Sequence, residues 1–315
     1  MLNGDGGMGG FVRSLNRFRW PRLLSRGIKS LFETLTDKQK PSDMGGMGGE
    51  DREHGRDASP IFLKDDPIVR LGKSKFPDLH AKHAWLLLFY DEDAARLDPT
   101  TQHHVALAKK LSEDVLRKAN NVKNEMMFKV GAVNCSGENL PFCMAKNDYD
   151  FGTPTFATVL NGSVTAVTSG HALKNDKTLY DHTTTALLNI DGLIVSINSV
   201  RDIQTRLFGS SAVSGHPAIA ILLLMDTRGT SPLYASLAYR HRMDGFAAFG
   251  ESRGSNSQLS KKLSVKKYPT LIALVGVEAT GRSRTHQEVS RYDGEAMDSS
   301  SLSKWGDGLS RKHFK

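Results

Sequence analysis

The chain is poor in cysteine, which limits the chemistry available to it. Its 315 residues include two cysteines, Cys135 and Cys143, and no C-x-x-C pair. A zinc site built from thiolates usually takes about four of them, and a small scaffold held together by disulfides uses several pairs. The cysteine count therefore excludes both kinds of protein.

Long apolar stretches are also absent. The longest, residues 218–225 (AIAILLLM), has eight residues, whereas a helix needs about 20 apolar residues to cross a bilayer. The sequence thus predicts no transmembrane helix. With 39% apolar and 24% charged residues, the composition is that of a globular protein.

The positive charge is uneven along the chain. The net charge is +8, yet residues 1–32 carry six Arg or Lys against a single acid, Asp5, and residues 33–60 are rich in acids. The basic balance therefore reflects one segment as much as a whole surface, and we expect no nucleic-acid partner.

The N-terminal region combines this basic segment with stretches of Gly and Met. Residues 1–10 (MLNGDGGMGG) and 44–49 (MGGMGG) bury too little to order themselves, so residues 1–60 are predicted to be flexible. Between them, residues 11–32 place apolar side chains near one helical face, although Pro21 interrupts the pattern. We interpret this segment as a transit peptide, a membrane-surface helix, a partner-binding helix, or a short helix packed on the fold or left loose.

A regular pattern of strands and helices begins near residue 66. The apolar run WLLLFY (85–90) predicts a buried strand, and Asp98-Pro99 predicts the start of a helix whose apolar residues recur to residue 119. A strand at 127–134, a short helix at 138–147 and a strand opened by Thr153-Pro154 follow. Asn161-Gly162 predicts a hairpin turn before a strand at 163–169, and a helix at 177–189 completes the unit.

The same order of elements then occurs a second time. Residues 219–225 predict the buried strand, Ser231-Pro232 the helix start, and residues 245–249 the next strand. A short helix at 258–263, a strand opened by Tyr268-Pro269, a strand at 288–292 and a helix at 302–309 follow. The two prolines therefore hold equivalent places in two copies of one unit, at the first residue of a strand, where proline is tolerated.

This order resembles the thioredoxin fold, in which the equivalent proline is cis and faces the active-site dipeptide. The stretch VNCSGENLPFCMAKNDYDFGTPTF (133–156) is similar to the protein disulfide isomerase family, and Tyr292-Asp293-Gly294 matches that family's last strand. Residues 231–250 and 266–276 look like the thioredoxin-like tail of J-domain cochaperones, although no His-Pro-Asp tripeptide is present to support Hsp70 stimulation. The resemblance implies an α/β protein of two tandem thioredoxin-like domains, 61–190 and 191–315, each a central mixed sheet flanked by helices, after the flexible region 1–60.

The thiols of that family are missing. A thioredoxin-type enzyme carries C-x-x-C in the turn between the buried strand and its helix, where the helix dipole lowers the pKa of the first cysteine. Here the two turns read DEDAARLDP (91–99) and DTRGTSP (226–232). Disulfide exchange at the usual site is therefore excluded. Thr153, Pro154, Tyr268 and Pro269 remain candidates for docking an extended peptide without redox chemistry, with a purely structural role as the alternative.

The resemblance also implies a pairing of Cys135 and Cys143, because several relatives of the disulfide isomerases have a cysteine pair there. Such a bridge closes a short loop, stabilises the fold by about 2–3 kcal/mol and needs an oxidising compartment. Two reduced, half-buried thiols are the alternative, and the sequence leaves both open.

Other motifs favour weaker hypotheses. Residues 250–254 (GESRG) form a G-x-S-x-G that we interpret as a loop before a short helix, because only 61 residues follow, too few for a hydrolase sheet. The histidines show no spacing typical of a metal site and are predicted to lie mostly on the surface. Lys261, Lys262, Lys266 and Lys267 predict a basic patch that is either solvated or faces an acidic partner.

The sequence therefore predicts a redox-inactive, disulfide isomerase-like protein without cofactor or metal. Its expected partners are unfolded or extended peptide segments or a chaperone partner, with membrane-surface contact through the basic N-terminal segment as a further option. The alternative is an oxidoreductase-family enzyme that uses Cys135 and Cys143 outside the usual site. The resemblance implies the endoplasmic reticulum lumen, and the Arg-rich N-terminus leaves a mitochondrial location open.

Overall fold

The structure is a computed structural model of the whole chain. It describes residues 61–147, 150, 152–208, 219–226, 229–243, 245, 247–253, 257–278, 284–292, 294 and 297–313. The predicted flexible region 1–60, with its basic segment, lies outside the described residues. No helix within the described ranges is both long and apolar enough to cross a membrane.

Among the described residues, ten strands form two five-stranded mixed sheets. The strands are β1 (Val69–Leu71), β2 (Ala84–Tyr90), β3 (Phe128–Asn134), β4 (Thr155–Leu160), β5 (Ser163–Ala166), β6 (Val195–Ser196), β7 (Ile219–Met225), β8 (Ala247–Arg253), β9 (Thr270–Glu278) and β10 (Arg284–Arg291). The first sheet has the order β1-β3-β2-β4-β5, and the second has the order β6-β8-β7-β9-β10. In each sheet the first three strands are parallel and the last two are antiparallel to their neighbours.

Eight helices of the described residues flank the sheets. They are α1 (Ala94–Leu97), α2 (Pro99–Lys118), α3 (Leu140–Asn147), α4 (Asp176–Leu188), α5 (Val200–Asp202), α6 (Pro232–His241), α7 (Ser257–Lys262) and α8 (Ser299–His313). A π-helical turn (Ile203–Leu207) continues α5. We call β1–β5 with α1–α4 domain 1, and β6–β10 with α5–α8 domain 2.

The duplicated order predicted from the sequence is confirmed, because the two sheets have the same strand order and the same strand directions. This is the strand order of the thioredoxin fold. The central strands β2 and β7 are buried almost throughout, as expected for apolar runs covered on both faces. The predicted helix starts are also confirmed: Asp98 accepts a hydrogen bond from the Thr101 amide at 2.7 Å, and Ser231 caps α6.

The hairpin predicted at Asn161-Gly162 is present between β4 and β5. Both residues have positive φ, 52° and 75°, which Asn and Gly tolerate best. A Cβ on Gly162 would lie 2.9 Å from the backbone nitrogen of Leu79. The glycine is therefore required twice, by its backbone angle and by the close approach of the loop before β2.

One interpretation of the sequence is wrong. The segment GESR, which we expected in a loop, lies inside β8 (Ala247–Arg253). Glycine is needed at position 250 for packing, since a Cβ there would meet Ile197 Cγ1 at 2.9 Å. Ser252 is 3% exposed, whereas the nucleophile of an elbow projects from a sharp turn after the strand. The geometry of Ser252 excludes that motif.

The two domains share a packed interface built around α6. Tyr239 on α6 belongs to the apolar core of domain 1, and its hydroxyl accepts a hydrogen bond from the Asn161 amide at 2.9 Å. Arg242, just after α6, donates to the carbonyls of Leu79 and Ala81 at 2.9 and 3.0 Å. Domain 2 is thereby fixed to the hairpin and to the loop before β2 of domain 1.

Candidate functional site

The first turn, residues 91–98, lies where a thioredoxin-type enzyme carries its two thiols. Asp91 is 5% exposed, and its carboxylate accepts a hydrogen bond from the Ala94 amide at 2.8 Å. Asp98 accepts from the backbone and the hydroxyl of Thr101, each at 2.7 Å, and these bonds lower the pKa of its carboxyl. Carboxylates thus occupy the helix N-termini, where the dipole favours negative charge.

Glu92 ties this turn to the end of the neighbouring parallel strand. Its Oε2 accepts from Asn134 Nδ2 at 3.0 Å, and its amide donates to Asn134 Oδ1 at 3.3 Å. The same Asn134 oxygen accepts from the hydroxyl of Ser136 at 2.8 Å. The pairing of Glu92 with Asn134 was not predicted, although the sequence contains a signal for it. Asn134 ends β3 and Glu92 follows β2, and the carboxyl ends of adjacent parallel strands meet at one edge of the sheet.

The second turn, residues 226–232, is attached to its sheet in a similar way. Thr230 donates a hydrogen bond to Glu251 on β8 at 2.9 Å. Below it, the hydroxyl of Tyr234 lies 2.7 Å from the carbonyl oxygens of both Ile221 and Gly250. Burial raises the pKa of that hydroxyl well above its usual value, so it stays protonated and donates. Both turns are therefore fixed by polar bonds to their own sheets.

The two cysteines are joined to each other at a short distance from the first turn. Cys135 follows β3 directly and donates its backbone N–H to the Tyr90 carbonyl at 2.7 Å, and Cys143 lies on α3. Their sulfur atoms are 2.06 Å apart, and the Cα atoms 5.9 Å apart. Both residues are 0% exposed and pack with Leu87 and Phe89 in the core. Exchange needs an attacking thiolate to reach a sulfur, and this burial opposes such access.

The first proline lies beside the first turn. Thr155 pairs with Phe89 across the sheet, so Pro154 lies next to the end of β2. Pro154 is buried and Thr153 is exposed. The Thr153 amide donates to the Asp150 carbonyl at 3.0 Å, and the Thr153 carbonyl accepts from the Thr155 hydroxyl at 3.3 Å. The resemblance to the thioredoxin fold implies that the proline faces the turn where the thiols would lie. This register agrees with that placement.

The second proline holds the equivalent place but differs in conformation. Thr270 pairs with Leu224, so Pro269 lies beside the end of β7 and the second turn. Among the described residues the cis peptide bond is Tyr268–Pro269; the expectation of a cis bond at Thr153–Pro154 is wrong. Pro269 is exposed, while the Tyr268 hydroxyl donates to Ser260 Oγ at 2.7 Å.

The lysines predicted near the second proline form an exposed patch. Lys261 and Lys262 end α7, and Lys266 and Lys267 precede the proline, all four exposed. In contrast, the acidic first turn of domain 1 lies beside Pro154. The two proline sites therefore present opposite charges to a ligand.

Histidine contributes no metal site to the part of the chain that the structure describes, where no group of three or more metal-ligating side chains converges. The expectation that the histidines lie mostly on the surface is wrong for His104, which is 8% exposed. Its ring stacks on Phe156 with the centroids 5.5 Å apart. Burial lowers the pKa of His104, which suits an uncharged packing role beside β4.

Comparison with known proteins gives structural matches alone. No family model and no curated protein matches the chain. It is similar to ERdj5 crystal form II, with 13% identity and a TM-score of 0.40, over 79% of this chain and 30% of that one. Zinc-bound human ERp44 matches with 15% identity and a TM-score of 0.34, over 76% and 56% of the two chains. The first two thioredoxin domains of Saccharomyces cerevisiae Eps1p match with 9% identity and a TM-score of 0.31, over 76% and 96%.

The chain therefore spans 30% of the length of ERdj5 and 56% of that of ERp44. The assignment of the fold rests on the strand order, direction and register of the two sheets. On these grounds the chain has two thioredoxin-like domains in tandem, and its predicted resemblance to the thioredoxin superfamily holds at the level of the fold.

Proposed function

We propose that this protein is a redox-inactive, disulfide isomerase-like protein that binds unfolded or extended peptide, or a chaperone partner, during protein folding. The observation that carries the proposal is the first turn. Where exchange chemistry requires a reactive thiol, Glu92 is hydrogen-bonded to Asn134 and the Asp91 carboxylate accepts from the Ala94 amide. The site retains the strand, the helix N-terminus and the proline, without a nucleophile.

The buried cysteine pair supports a structural role for sulfur rather than the alternative of an enzyme using Cys135 and Cys143. With both cysteines 0% exposed, a substrate thiolate has no path to either sulfur in the native state. The bridge also supports an oxidising compartment, since such bonds do not persist in a reducing one. Of the two locations considered, this favours the endoplasmic reticulum lumen implied by the resemblance.

Thr153–Pro154 and Tyr268–Pro269 are the proposed docking positions for a peptide. Each begins the strand next to the central strand, and each lies at the edge where a turn meets the sheet. A peptide that runs along this edge would contact the exposed Thr153, and a peptide amide would replace the Thr155 hydroxyl, 3.3 Å away, as the donor to the Thr153 carbonyl, a form of strand addition. The acidic surroundings of Pro154 favour neutral or basic peptides there.

The test measures peptide binding and disulfide turnover on the same preparations. A labelled, unstructured neutral peptide is titrated with wild-type protein, with Thr153→Arg and with Thr165→Arg, and fluorescence anisotropy reports binding. Thr153→Arg should weaken binding, since its side chain would cover the docking edge. Thr165→Arg is the matched control because Thr165 is also exposed but lies on the edge strand β5.

Turnover of a small disulfide substrate with a thiol reductant separates the two functions. Wild-type protein and the Cys135→Ala/Cys143→Ala variant should both lack turnover, and both should bind the peptide. Turnover by the wild type that disappears in the double variant would establish the enzyme instead. Equal peptide affinity in Thr153→Arg and wild type would remove Thr153–Pro154 as the docking position.

A further inference from the structure

A basic groove lies at the opposite end of domain 1 from Pro154. It has a volume of about 400 Å³ and is lined by Pro77, Ala81, Lys82, His83, Trp85, Asn124, Lys129 and Arg240. This volume is within the range of about 300–1,000 Å³ typical of ligand sites. Trp85 and Tyr90 are five positions apart on β2, so the groove lies roughly 17 Å from the first turn.

The described lining residues supply positive charge and no carboxylate. Lys129 pairs in register with Trp85, and its ammonium lies 5.7 Å from the centre of the indole ring. Arg240 reaches the groove from α6 of domain 2, donating to the Asn124 carbonyl at 3.0 Å. The groove thus uses residues from both domains, which the α6 interface holds together.

The electrostatics of the groove favour a negative ligand. Burial lowers the pKa of Lys129, and the charge of Arg240 lowers it further. Burial also lowers the pKa of His83 to about 3, assisted by Lys129, Arg240 and Lys82, so His83 is neutral near pH 7. Asp307 pairs with Arg240 at 2.9 Å, but no carboxylate of the described residues pairs with Lys129. An anion in the groove would relieve this repulsion.

The shape and donors of the groove distinguish between anions. Phosphate sites in proteins typically use backbone N–H groups of a glycine-rich loop or a helix N-terminus. The described lining residues here include no glycine, and the backbone group of Asn124 that meets Arg240 is a carbonyl. Trp85 and Pro77 instead offer an apolar wall beside the charges. A chain with carboxylates spaced between apolar atoms fits this combination.

We propose that the basic groove binds an acidic segment of an extended peptide, with Lys129 and Arg240 holding its carboxylates and Trp85 packing against its apolar parts. The proposal rests on the proposed function in taking a peptide as the ligand, but it uses a different surface. It assigns the acidic part of a client or partner to the groove, and neutral or basic parts to the edge at Pro154.

The experiment compares two labelled peptides of one sequence that differ only in Glu against Gln. Binding is measured by fluorescence anisotropy with full-length wild type, Lys129→Gln, Lys129→Arg and Lys177→Gln, at low and at physiological ionic strength. Lys177 is an exposed lysine on α4 that does not line the groove and serves as the matched control. Circular dichroism melting establishes that each variant is folded.

The Glu peptide should bind wild type more tightly than the Gln peptide, and the difference should shrink as salt is added. Lys129→Gln should weaken Glu-peptide binding about fivefold, whereas Lys129→Arg and Lys177→Gln should leave it within about twofold of wild type. Equal binding of the two peptides, or an unchanged affinity in Lys129→Gln, would overturn the proposal.

Inorganic phosphate and the Thr153→Arg variant complete the test. Phosphate that binds in a Lys129-dependent way, without binding of the Glu peptide, would make the groove an oxyanion site and would also overturn the proposal. Equal binding of the neutral peptide to wild type and Thr153→Arg, with Glu-peptide binding that still depends on Lys129, would count against the proposed docking edge alone. The reverse pattern would count against the groove alone.

Discussion

Reduction of the Cys135–Cys143 bridge should cost stability but not function. The bridge closes a loop with a sequence separation of 8. In the chain-entropy description, a loop of this length raises the free energy of unfolding by about 2.5 kcal/mol, because it restricts the unfolded chain. Since both sulfurs lie in the core of domain 1, the effect should appear in the transition that unfolds this domain.

Urea unfolding with and without reductant measures this contribution. The fluorescence of Trp85, which lies on β2, reports on domain 1. For an m value near the upper end of the usual range, the midpoint should fall by roughly 1 M urea after reduction. Cys135→Ala/Cys143→Ala should fall at least as far, because it also removes two buried sulfur atoms.

The rate of reduction tests the argument from burial. Glutathione should reduce the bridge of the folded protein only through opening of domain 1, so the rate at a fixed thiol concentration should be far below that of an exposed disulfide and should rise with urea. Thiols counted by alkylation under denaturing conditions, with and without prior reduction, report the outcome. A rate in native buffer equal to that of an exposed model disulfide, or one that does not change with urea, would refute the reasoning and would favour the enzyme hypothesis.

Three further substitutions test the interface, the basic groove and the hairpin. Arg242→Met removes the bonds to the carbonyls of Leu79 and Ala81 and should lower the free energy of unfolding by about 2 kcal/mol; a calorimetric trace unchanged from wild type would contradict this. Burial lowers the pKa of His83 to about 3, so the unfolded chain binds its proton first as the pH falls. Wild type should therefore lose about 2 kcal/mol more stability than His83→Gln between about pH 7 and about pH 5. Urea midpoints of the two proteins that change equally over this pH range would contradict this expectation. Gly162→Ala, at φ 75° and in contact with the loop before β2, should destabilise by about 1–3 kcal/mol in urea unfolding, whereas Gly170→Ala, with open space at its Cβ, should not.

The sequence predicts the elements whose burial or local hydrogen bonds require a particular residue pattern. The runs that form β2 and β7 are apolar because both of their faces are covered, and the caps at Asp98 and Ser231 are local hydrogen bonds. The short strands β1 and β6 have three and two residues, too few to show any period. They exist through pairing with β3 and β8, which is a tertiary effect.

The wrong interpretation of β8 and the missed basic groove also result from tertiary contacts. The polar residues of β8 were interpreted as a loop because FGESR lacks the alternation of a half-buried strand. Pairing with β7 along its whole length and the Tyr234 bond to Gly250 override that local signal. The basic groove was missed because Lys82, Lys129 and Arg240 are far apart in sequence, and only the docking of α6 brings them together.

The two ends of the domain 1 sheet differ in how they treat negative charge. At the proline end the chain supplies its own carboxylates, Asp91 and Asp98, to helix N-termini that in a redox enzyme would stabilise a thiolate. Those N-termini are thus already satisfied, and an acidic ligand would be repelled there. At the other end the charge of Arg240 acts on Lys129. Of these two ends, an acidic peptide therefore gains electrostatic energy at the basic groove, and charge is the property that should distribute ligands between the two surfaces.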